Sequence, residues 1–189
     1  MILLDPDLDP DPSPRFTSAK HSLAGNSQPL PSPRTLARFL NLAQSAVRLR
    51  GEVTVLLTTD AAICKLNKQF RGKNKATDVL SFPAESVGPV KISGDIAISV
   101  DTARRQSAAQ CHSLATEIKV LILHGLLHLA GYDHEIDGGK MGRRERLMRA
   151  KLNLPQGLIE RTGESQPIAR KPRRGDGIPS TKSARSARP

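Results

Sequence analysis

Three histidines in the second half of the chain have the residue type and spacing of a metal site. They are His124, His128 and His134. The first two are four residues apart in an apolar segment with a helical pattern, so their imidazoles share one helix face. Gly131 follows, and because glycine adopts positive φ at little cost, it can end the helix and turn the chain so that His134 approaches the other two. Three neutral imidazoles with one coordination position left for water describe a catalytic zinc site rather than a closed structural one.

The structural alternative is that these histidines are core residues whose rings find partners in the protein. Burying two imidazoles in a leucine-rich helix costs free energy unless each ring is satisfied. Packing alone also does not explain a third histidine placed just after a glycine. We therefore predict that His124, His128 and His134 bind one zinc ion per chain.

The order H-G-L-L-H-L-A-G-Y-D-H matches the ligand positions of H-E-x-x-H-x-x-G-x-x-H, the metal-binding helix of one class of zinc proteases. The match fails at Gly125, which stands where those proteases carry the glutamate that acts as general base. A glycine cannot accept a proton from water. The segment therefore predicts metal-assisted hydrolysis by another route, and a metalloprotease is the less favoured alternative.

A second group of candidate functional residues is the basic loop of Arg71, Lys73 and Lys75, with Gly72 giving the backbone freedom. An arginine presents a fork of donors suited to phosphate oxygens. A phosphodiester under attack needs its developing charge stabilised, which such a donor can do. The alternative is a solvated basic loop, but a metal site in the same domain favours a functional role for Arg71.

The elements that must position these residues follow from the hydrophobic pattern. It predicts helices over 33–50, from Asp60, over 101–110, through the histidine segment from a cap at Ser113 or Thr116, and over 140–152. It predicts strands at 52–58, 78–82 and within 91–99, with Gly94 as a bulge. In the last helix, Met141, Leu147, Met148 and Leu152 are predicted to face the core and the arginines to face water. The predicted fold is α+β: one domain, a small mixed β-sheet packed with about five helices, and the metal site on the long apolar helix and the turn after it.

Charge and composition suggest folded and unfolded parts and a polyanionic partner. Lys and Arg number 29 against 18 Asp and Glu, a formal net charge of +11, and residues 140–189 hold 14 basic and 4 acidic residues. Such a balance favours nucleic acid as a partner. We predict a disordered acidic, proline-rich leader over 1–31, a catalytic domain over 32–153 and a disordered basic tail over 154–189.

The two cysteines, Cys64 and Cys111, do not form a disulfide framework and fit a reducing cytoplasm. No apolar run approaches the length of a membrane span, so no membrane partner is expected. The oligomeric state is not predictable from these features.

At these motifs the chain resembles the YbeY endoribonucleases, a family of rRNA maturation factors. The histidine block resembles the family signature, and F-R-G-K at residues 70–73 followed by T-D-V-L-S-F-P at residues 77–83 resembles a second block. G-D-I-A-I-S at residues 94–99 resembles a third, and the resemblance runs from about residue 35 to about residue 153. Asn74 and Ala76 depart from the family, which more often has Asp and Pro there, and this predicts a less rigid loop.

The resemblance implies a cytoplasmic, metal-dependent endoribonuclease specific for single-stranded RNA, acting on the 16S rRNA 3′ end and in ribosome quality control. It implies zinc on His124, His128 and His134, a catalytic or RNA-contacting Arg71, and rRNA with the 30S or 70S ribosome as partners rather than DNA. Asp133 is a candidate to orient His134, to accept a proton or to cap a turn. The RNA 2′-hydroxyl is an alternative nucleophile, and Tyr132 either stacks on a base or packs beside the metal helix. The competing function is a non-catalytic, zinc-containing ribosome-assembly factor.

Overall fold

The computed structural model of the protein describes residues 1–8, 28–84, 92–134 and 136–156. Its strands are β1 (Ile2–Leu4), β2 (Glu52–Thr58), β3 (Val79–Pro83) and β4 (Ile92–Ser99). Its helices are α1 (Pro33–Val47), α2 (Asp60–Arg71), α3 (Val100–Ala109), α4 (Leu114–Leu129) and α5 (Lys140–Lys151). The predicted α+β class, with a small mixed sheet and five helices, is confirmed.

The sheet has the order β1-β2-β4-β3, in which β1, β2 and β4 run parallel and β3 runs antiparallel to β4. The pairing of β2 with β4 shifts by one residue, because Glu52 lies opposite Ile92 while Val53 lies opposite Gly94. The unpaired residue is Ser93, so the irregularity lies one residue before Gly94, where the sequence predicted a bulge. Strand β3 pairs only with β4 among the described strands, so it forms one edge of the sheet.

The first eight residues differ from the prediction of a disordered leader. Ile2–Leu4 adds to the sheet as β1, in register with Val55–Leu57 of β2. The amino terminus donates to the Val53 carbonyl at 2.5 Å, and the Asp5 carboxylate accepts from the Thr58 hydroxyl. The prediction is therefore wrong for residues 1–8, because a three-residue apolar segment acquires its strand only from a partner far along the chain. Residues 9–27 of the predicted leader and residues 157–189 of the predicted tail lie outside the described residues.

Helices cover the two faces of the sheet unequally. Helices α1, α3, α4 and α5 share one large core with the inward side chains of β2 and β4, including Val55, Leu57, Ile96 and Ile98. Helix α2 covers the opposite face, where a smaller cluster of Ile63, Leu80 and Ala97 is buried with Leu66 and Phe82 packed beside it. The sheet thus separates α2 from α4.

Hydroxyl side chains begin four of the five helices. The side chains of Ser32, Thr59, Ser99 and Ser113 each accept a hydrogen bond from the backbone N–H three residues later. Ser113, rather than Thr116, is therefore the cap of the histidine helix. Helix α5 begins differently, because the Asp137 carboxylate accepts from the Met141 N–H at 2.7 Å.

Helix α5 departs from its predicted pattern at two positions. Leu147, predicted to face the core, is 62% exposed. Arg149, predicted to face water, is 1% exposed. The pattern of apolar and polar residues predicts these two positions wrongly because the interior contact of α5 is partly an ion pair.

None of the helices in the described parts of the chain is long and apolar enough to cross a membrane, and both cysteines are free.

Candidate metal centre and active-site cleft

Helix α4 carries two of the three candidate ligands on one flank. His124 is 7% exposed, and His128, one turn later, is partly buried. Their Nε2 atoms lie 3.1 Å apart. The four-residue spacing therefore brings the two rings together, as predicted.

The end of α4 brings the third histidine to the same place. The Gly131 N–H donates to the His128 carbonyl at 2.9 Å, and the Tyr132 N–H donates to the Leu127 carbonyl at 3.1 Å. This pair of bonds is a Schellman motif, which needs a left-handed residue at its turn, and Gly131 supplies it with φ of 86°. The chain reverses there, and the ring of His134 lies 5.5 Å from that of His124 and 5.3 Å from that of His128, centroid to centroid.

The cluster has the geometry of a metal-binding group. One ring nitrogen from each of the three histidines lies within 4.8 Å of the others, and together they form a group able to hold a metal ion. Burial, and then the neighbouring His124 and His134, lower the pKa of His128 to about 4. At neutral pH this imidazole is therefore unprotonated, the form in which histidine binds metals. The three residues singled out in the sequence thus converge at one point.

Gly125 is explained by packing against the sheet. A Cβ atom at this position would lie 2.9 Å from both Cδ1 and Cγ2 of Ile96, a contact that real Cβ atoms essentially never make. The residue is buried between the helix axis and β4. A glutamate at position 125 would therefore collide with the sheet, and the general base of the zinc proteases has no space at this point of the fold.

A cleft of about 600 Å³ joins the histidine cluster to the basic loop. It is lined by the three histidines and by Arg71, Lys73 and Lys75. Its remaining lining comes from Asn67 of α2, from β3 and the two residues before it, from α3 and from the turn after α4. The two groups of candidate residues, about fifty positions apart in the sequence, therefore face one cavity.

Arg71 reaches the cleft because α2 ends there. Gly72, with φ of 69°, ends the helix, and Lys73 donates its N–H to the Asn67 carbonyl at 3.3 Å. The buried Asn67 side chain then donates through Nδ2 to the Lys75 carbonyl at 2.8 Å. The loop is thus held by Asn67 rather than by a proline. Across the described residues, the Arg71 guanidinium has neither an ion pair nor a hydrogen-bond partner, so its donors remain exposed to the cleft.

Two carboxylates line the cleft and differ in their surroundings. Asp78 is surrounded by donors: the Thr77 hydroxyl and the Val79 N–H reach Oδ1, and the Gln106 side chain reaches Oδ2 at 3.0 Å. The Asp133 side chain is 46% exposed, and its Oδ1 lies 4.0 Å from Nδ1 of His134. The Asp133 carbonyl accepts from the N–H groups at 136 and 137, so its backbone also shapes the turn.

Of the two roles that the sequence left open for Tyr132, the structure shows the packing role. Its side chain is partly buried against the main core, and it also lines the cleft. The packing role is therefore present, and an aromatic surface is available beside the histidines.

Two residues behind the cluster were not singled out from the sequence: Glu145, which contacts His124, and Arg149, which contacts Glu145. Nδ1 of His124 lies 3.1 Å from Oε2 of Glu145, and Oε1 of Glu145 accepts from Nε of Arg149 at 2.7 Å. Both belong to α5, where a glutamate and an arginine four residues apart have the pattern of a solvent-exposed helix pair. Only the packing of α5 against α4 shows that the pair is buried.

The chain matches one protein family over most of its length. The family model described as Endoribonuclease YbeY matches residues 32–153. The chain is 50% identical over 143 residues to Endoribonuclease YbeY of Koribacter versatilis, covering 76% of this chain and 89% of that one. It is 51% identical over 110 residues to Endoribonuclease YbeY of Nautilia profundicola, covering 58% and 78%. It is also similar to the solution structure of a Thermotoga maritima protein, with a TM-score of 0.46 and 26% identity over 65% of this chain and 85% of that one.

Proposed function

Because the chain belongs to the YbeY endoribonuclease family, we propose that it is a metal-dependent endoribonuclease that hydrolyses single-stranded RNA in the cleft between α2 and α4. The observation that carries the proposal is the convergence of three imidazoles and an unpaired arginine on one cavity. The histidines supply a place for a cation, and Arg71 supplies a phosphate contact. Neither group alone specifies a nuclease.

In this proposal His124, His128 and His134 hold one zinc ion. The fit rests on the donor set, which is three imidazole nitrogens. Within the described residues, no carboxylate or thiol joins this group. Three protein ligands leave coordination positions for other groups, as in catalytic rather than structural sites. When bound, zinc supplies Lewis acidity toward a phosphate oxygen or a water molecule.

Arg71 has the role of binding the phosphodiester and stabilising its charge. Its side chain is exposed, lines the cleft and ends a helix whose last turn is fixed by Gly72 and Asn67. The backbone that carries this guanidinium is fixed, and the guanidinium itself can bind a phosphate through two parallel hydrogen bonds. Lys73 and Lys75 extend the positive surface along the same cleft and would contact neighbouring phosphates.

Asp133 is the better placed of the two cleft carboxylates for proton transfer. Its side chain is about half exposed and lines the cleft, with Oδ1 4.0 Å from Nδ1 of His134. If water is the nucleophile, Asp133→Asn should slow cleavage strongly. If the RNA 2′-hydroxyl attacks, a substrate with a single 2′-deoxynucleotide at the cleavage site should resist cleavage. Analysis of the product ends separates the two routes, because attack by the 2′-hydroxyl leaves a 2′,3′-cyclic phosphate.

The physiological substrate we propose is rRNA, at the 3′ end of the 16S species, with the ribosome as partner and the cytoplasm as the compartment. The formal charge of +11, concentrated after residue 140, supports a polyanionic partner. The division into a leader, a catalytic domain over 32–153 and a basic tail also stays a proposal, with residues 1–8 now assigned to the folded unit.

The decisive experiment is cleavage of an end-labelled single-stranded RNA by the wild-type protein, His128→Ala and Arg71→Ala, purified identically. We expect His128→Ala to lose activity and Arg71→Ala to lose on the order of 10²-fold in kcat. His112→Gln and Lys65→Ala are matched controls, because they change a histidine and a cation that do not line the cleft. Equal cleavage by all variants would show a contaminating nuclease and favour the assembly-factor alternative.

The metalloprotease alternative has a separate test. The general-base position is occupied by Gly125, whose Cβ direction is blocked by Ile96. We expect no cleavage of unstructured peptides by the zinc-loaded protein under conditions in which RNA is cut.

A further inference from the structure

His124 is distinguished from the other two histidines of the cluster by its contact with a buried carboxylate. Its Nδ1 lies 3.1 Å from Oε2 of Glu145, and the two side chains are 9% and 3% exposed. Among the residues that the structure describes, the carboxylate paired with His134 is that of the half-exposed Asp133, at 4.0 Å. The His124 ring is therefore held from behind by α5.

This contact determines which nitrogen of His124 can bind a cation. Oε1 of Glu145 accepts a hydrogen bond from Nε of the buried Arg149 at 2.7 Å, and since an arginine is always charged, the side chain facing it is a carboxylate. A carboxylate only accepts hydrogen bonds, so Nδ1 of His124 must donate. Nε2 is then the nitrogen with the lone pair, and it is also the one that lies 3.1 Å from Nε2 of His128.

Arg149 in turn fixes Glu145. Its Nε donates to Oε1 of Glu145 at 2.7 Å, and its Nη1 donates to the Pro155 carbonyl at 2.6 Å. Arg149 is 1% exposed, one of the largest fully buried side chains among the described residues. A continuous chain of contacts thus runs from the backbone after α5, through Arg149 and Glu145, to His124.

Stability alone does not explain why these charges are buried. Desolvating an arginine and a glutamate costs several kcal/mol per ion, and well-packed apolar residues of similar volume are often as stable or more so. The neighbours of the pair on α5, Met141 and Met148, are apolar core residues, so this surface can pack without charges. This position needs a carboxylate only if Nδ1 of His124, the ring nitrogen that Glu145 faces, must be held in one orientation.

We propose that Glu145 is a positioning residue that fixes the ring and tautomer of His124 for metal binding, and that Arg149 holds Glu145 in place. This inference rests on the proposed function, in that it takes the three histidines as the metal site. Partners behind a metal-binding histidine typically contribute about 10–100-fold to metal affinity. We therefore expect the replacement of Glu145 to lower the zinc affinity by about 10–100-fold.

The test compares Glu145→Gln with Glu117→Gln. Glu117 is a matched control because it is also fully buried and also contacts a histidine, His112. It lies seven residues before His124 on α4, roughly 10 Å along the helix. Zinc affinity is measured on the full-length chain by competition with a chromophoric chelator, and the ligand geometry by the visible absorption of the cobalt-loaded protein. Urea unfolding of the metal-free proteins reports the stability of each variant.

The expected result is a zinc Kd raised about 10–100-fold and an altered cobalt spectrum in Glu145→Gln alone, while both variants lose stability without metal. An unchanged zinc Kd and cobalt spectrum in Glu145→Gln would overturn the inference and leave the metal site standing. Failure of the wild-type protein to bind zinc would instead overturn the metal site and, with it, this inference. If Glu145→Gln does not fold, Glu145→Asp replaces it, because its shorter side chain cannot reach His124 and Arg149 together. Wild-type zinc affinity in that variant would equally overturn the inference.

Discussion

Replacing Gly125 by alanine should destabilise the protein, although the same change in the middle of an ordinary helix is stabilising. Alanine is normally favoured over glycine in a helix interior by about 1 kcal/mol. Here the added Cβ would lie 2.9 Å from two atoms of Ile96 and 3.2 Å from a third. Ile96 is β-branched and 1% exposed, so it cannot escape by a change of rotamer.

The magnitude follows from the two opposing effects. Overpacking of this kind costs about 1–3 kcal/mol, and subtracting the helix-propensity gain leaves a net loss of about 1 kcal/mol. In an Ile96→Ala background the obstructing atoms are absent. There Gly125→Ala should stabilise the protein by about 1 kcal/mol, since only the propensity gain remains. The two substitutions should therefore be coupled by about 2 kcal/mol.

The assay is a double-mutant cycle by urea unfolding of the wild-type protein, both single variants and the double variant. Circular dichroism follows the helices, and the slope with urea concentration checks that the unfolded state is unchanged. The decisive observation is the sign of the Gly125→Ala effect in the two backgrounds. Stabilisation by Gly125→Ala in the wild-type background would refute the argument that the helix lies too close to the sheet for a side chain.

Three further predictions concern the bulge, the tail and the acid limit of stability. Gly94→Ala should lower the free energy of unfolding by about 3 kcal/mol. The reason is that the φ angle of Gly94 is +136° and an added Cβ would lie 2.2 Å from the Phe82 carbonyl oxygen. Near wild-type stability of this variant in urea unfolding would contradict the prediction. Residues 157–189 hold eight basic residues. Their deletion should make the plot of log RNA-binding constant against log salt concentration less steep, by about 0.7 for each phosphate that the tail neutralises. An unchanged slope would exclude a contribution of the tail to RNA binding. Burial raises the pKa of Asp60, but hydrogen bonds from two hydroxyl groups and from Arg105 lower it by more, to below 3.8. The stabilisation of the protein by ionised Asp60 is thus present above pH 3.8 and is lost as the pH falls below it. The stability deficit of Asp60→Asn at neutral pH should therefore shrink as the pH falls through 4. A deficit that stays constant over this range would refute the prediction.

The histidine site could be predicted from sequence because its determinants are local. The separation of His124 and His128 fixes their shared face as soon as α4 is helical. Gly131 identifies the reversal that brings His134 back, and the Schellman bonds confirm it. The convergence of Arg71 on the same cleft is not local, since it depends on how α2 and α4 pack on the sheet. Its assignment rested on charge and on resemblance to a family.

The sequence did not predict β1 or the burial of Arg149, because each depends on contact with a residue or strand that the local sequence pattern does not identify. Strand β1 is three residues long, too short for alternation to be visible, and its pairing partner lies some fifty residues away. The burial of Arg149 was missed for a related reason. A pattern of apolar and polar residues assigns every arginine to solvent, and only the facing residue shows that the charge is compensated. Such misses are expected where an ion pair orients a functional side chain.

The position of the cleft follows from where the sheet ends. Helix α2 covers the face that carries Leu80 and Ala97, while α4 covers the other face, with Gly125 against Ile96. Residues on these two helices can meet only around an edge of the sheet, and β3 is that edge. A fifth strand beside β3 would fill the gap between Arg71 and the histidines. The short edge strand and the close approach of α4 at Gly125 together let the histidine cluster and Arg71, from opposite faces of the sheet, share one open cavity, as the proposed cation site and the proposed phosphate contact require.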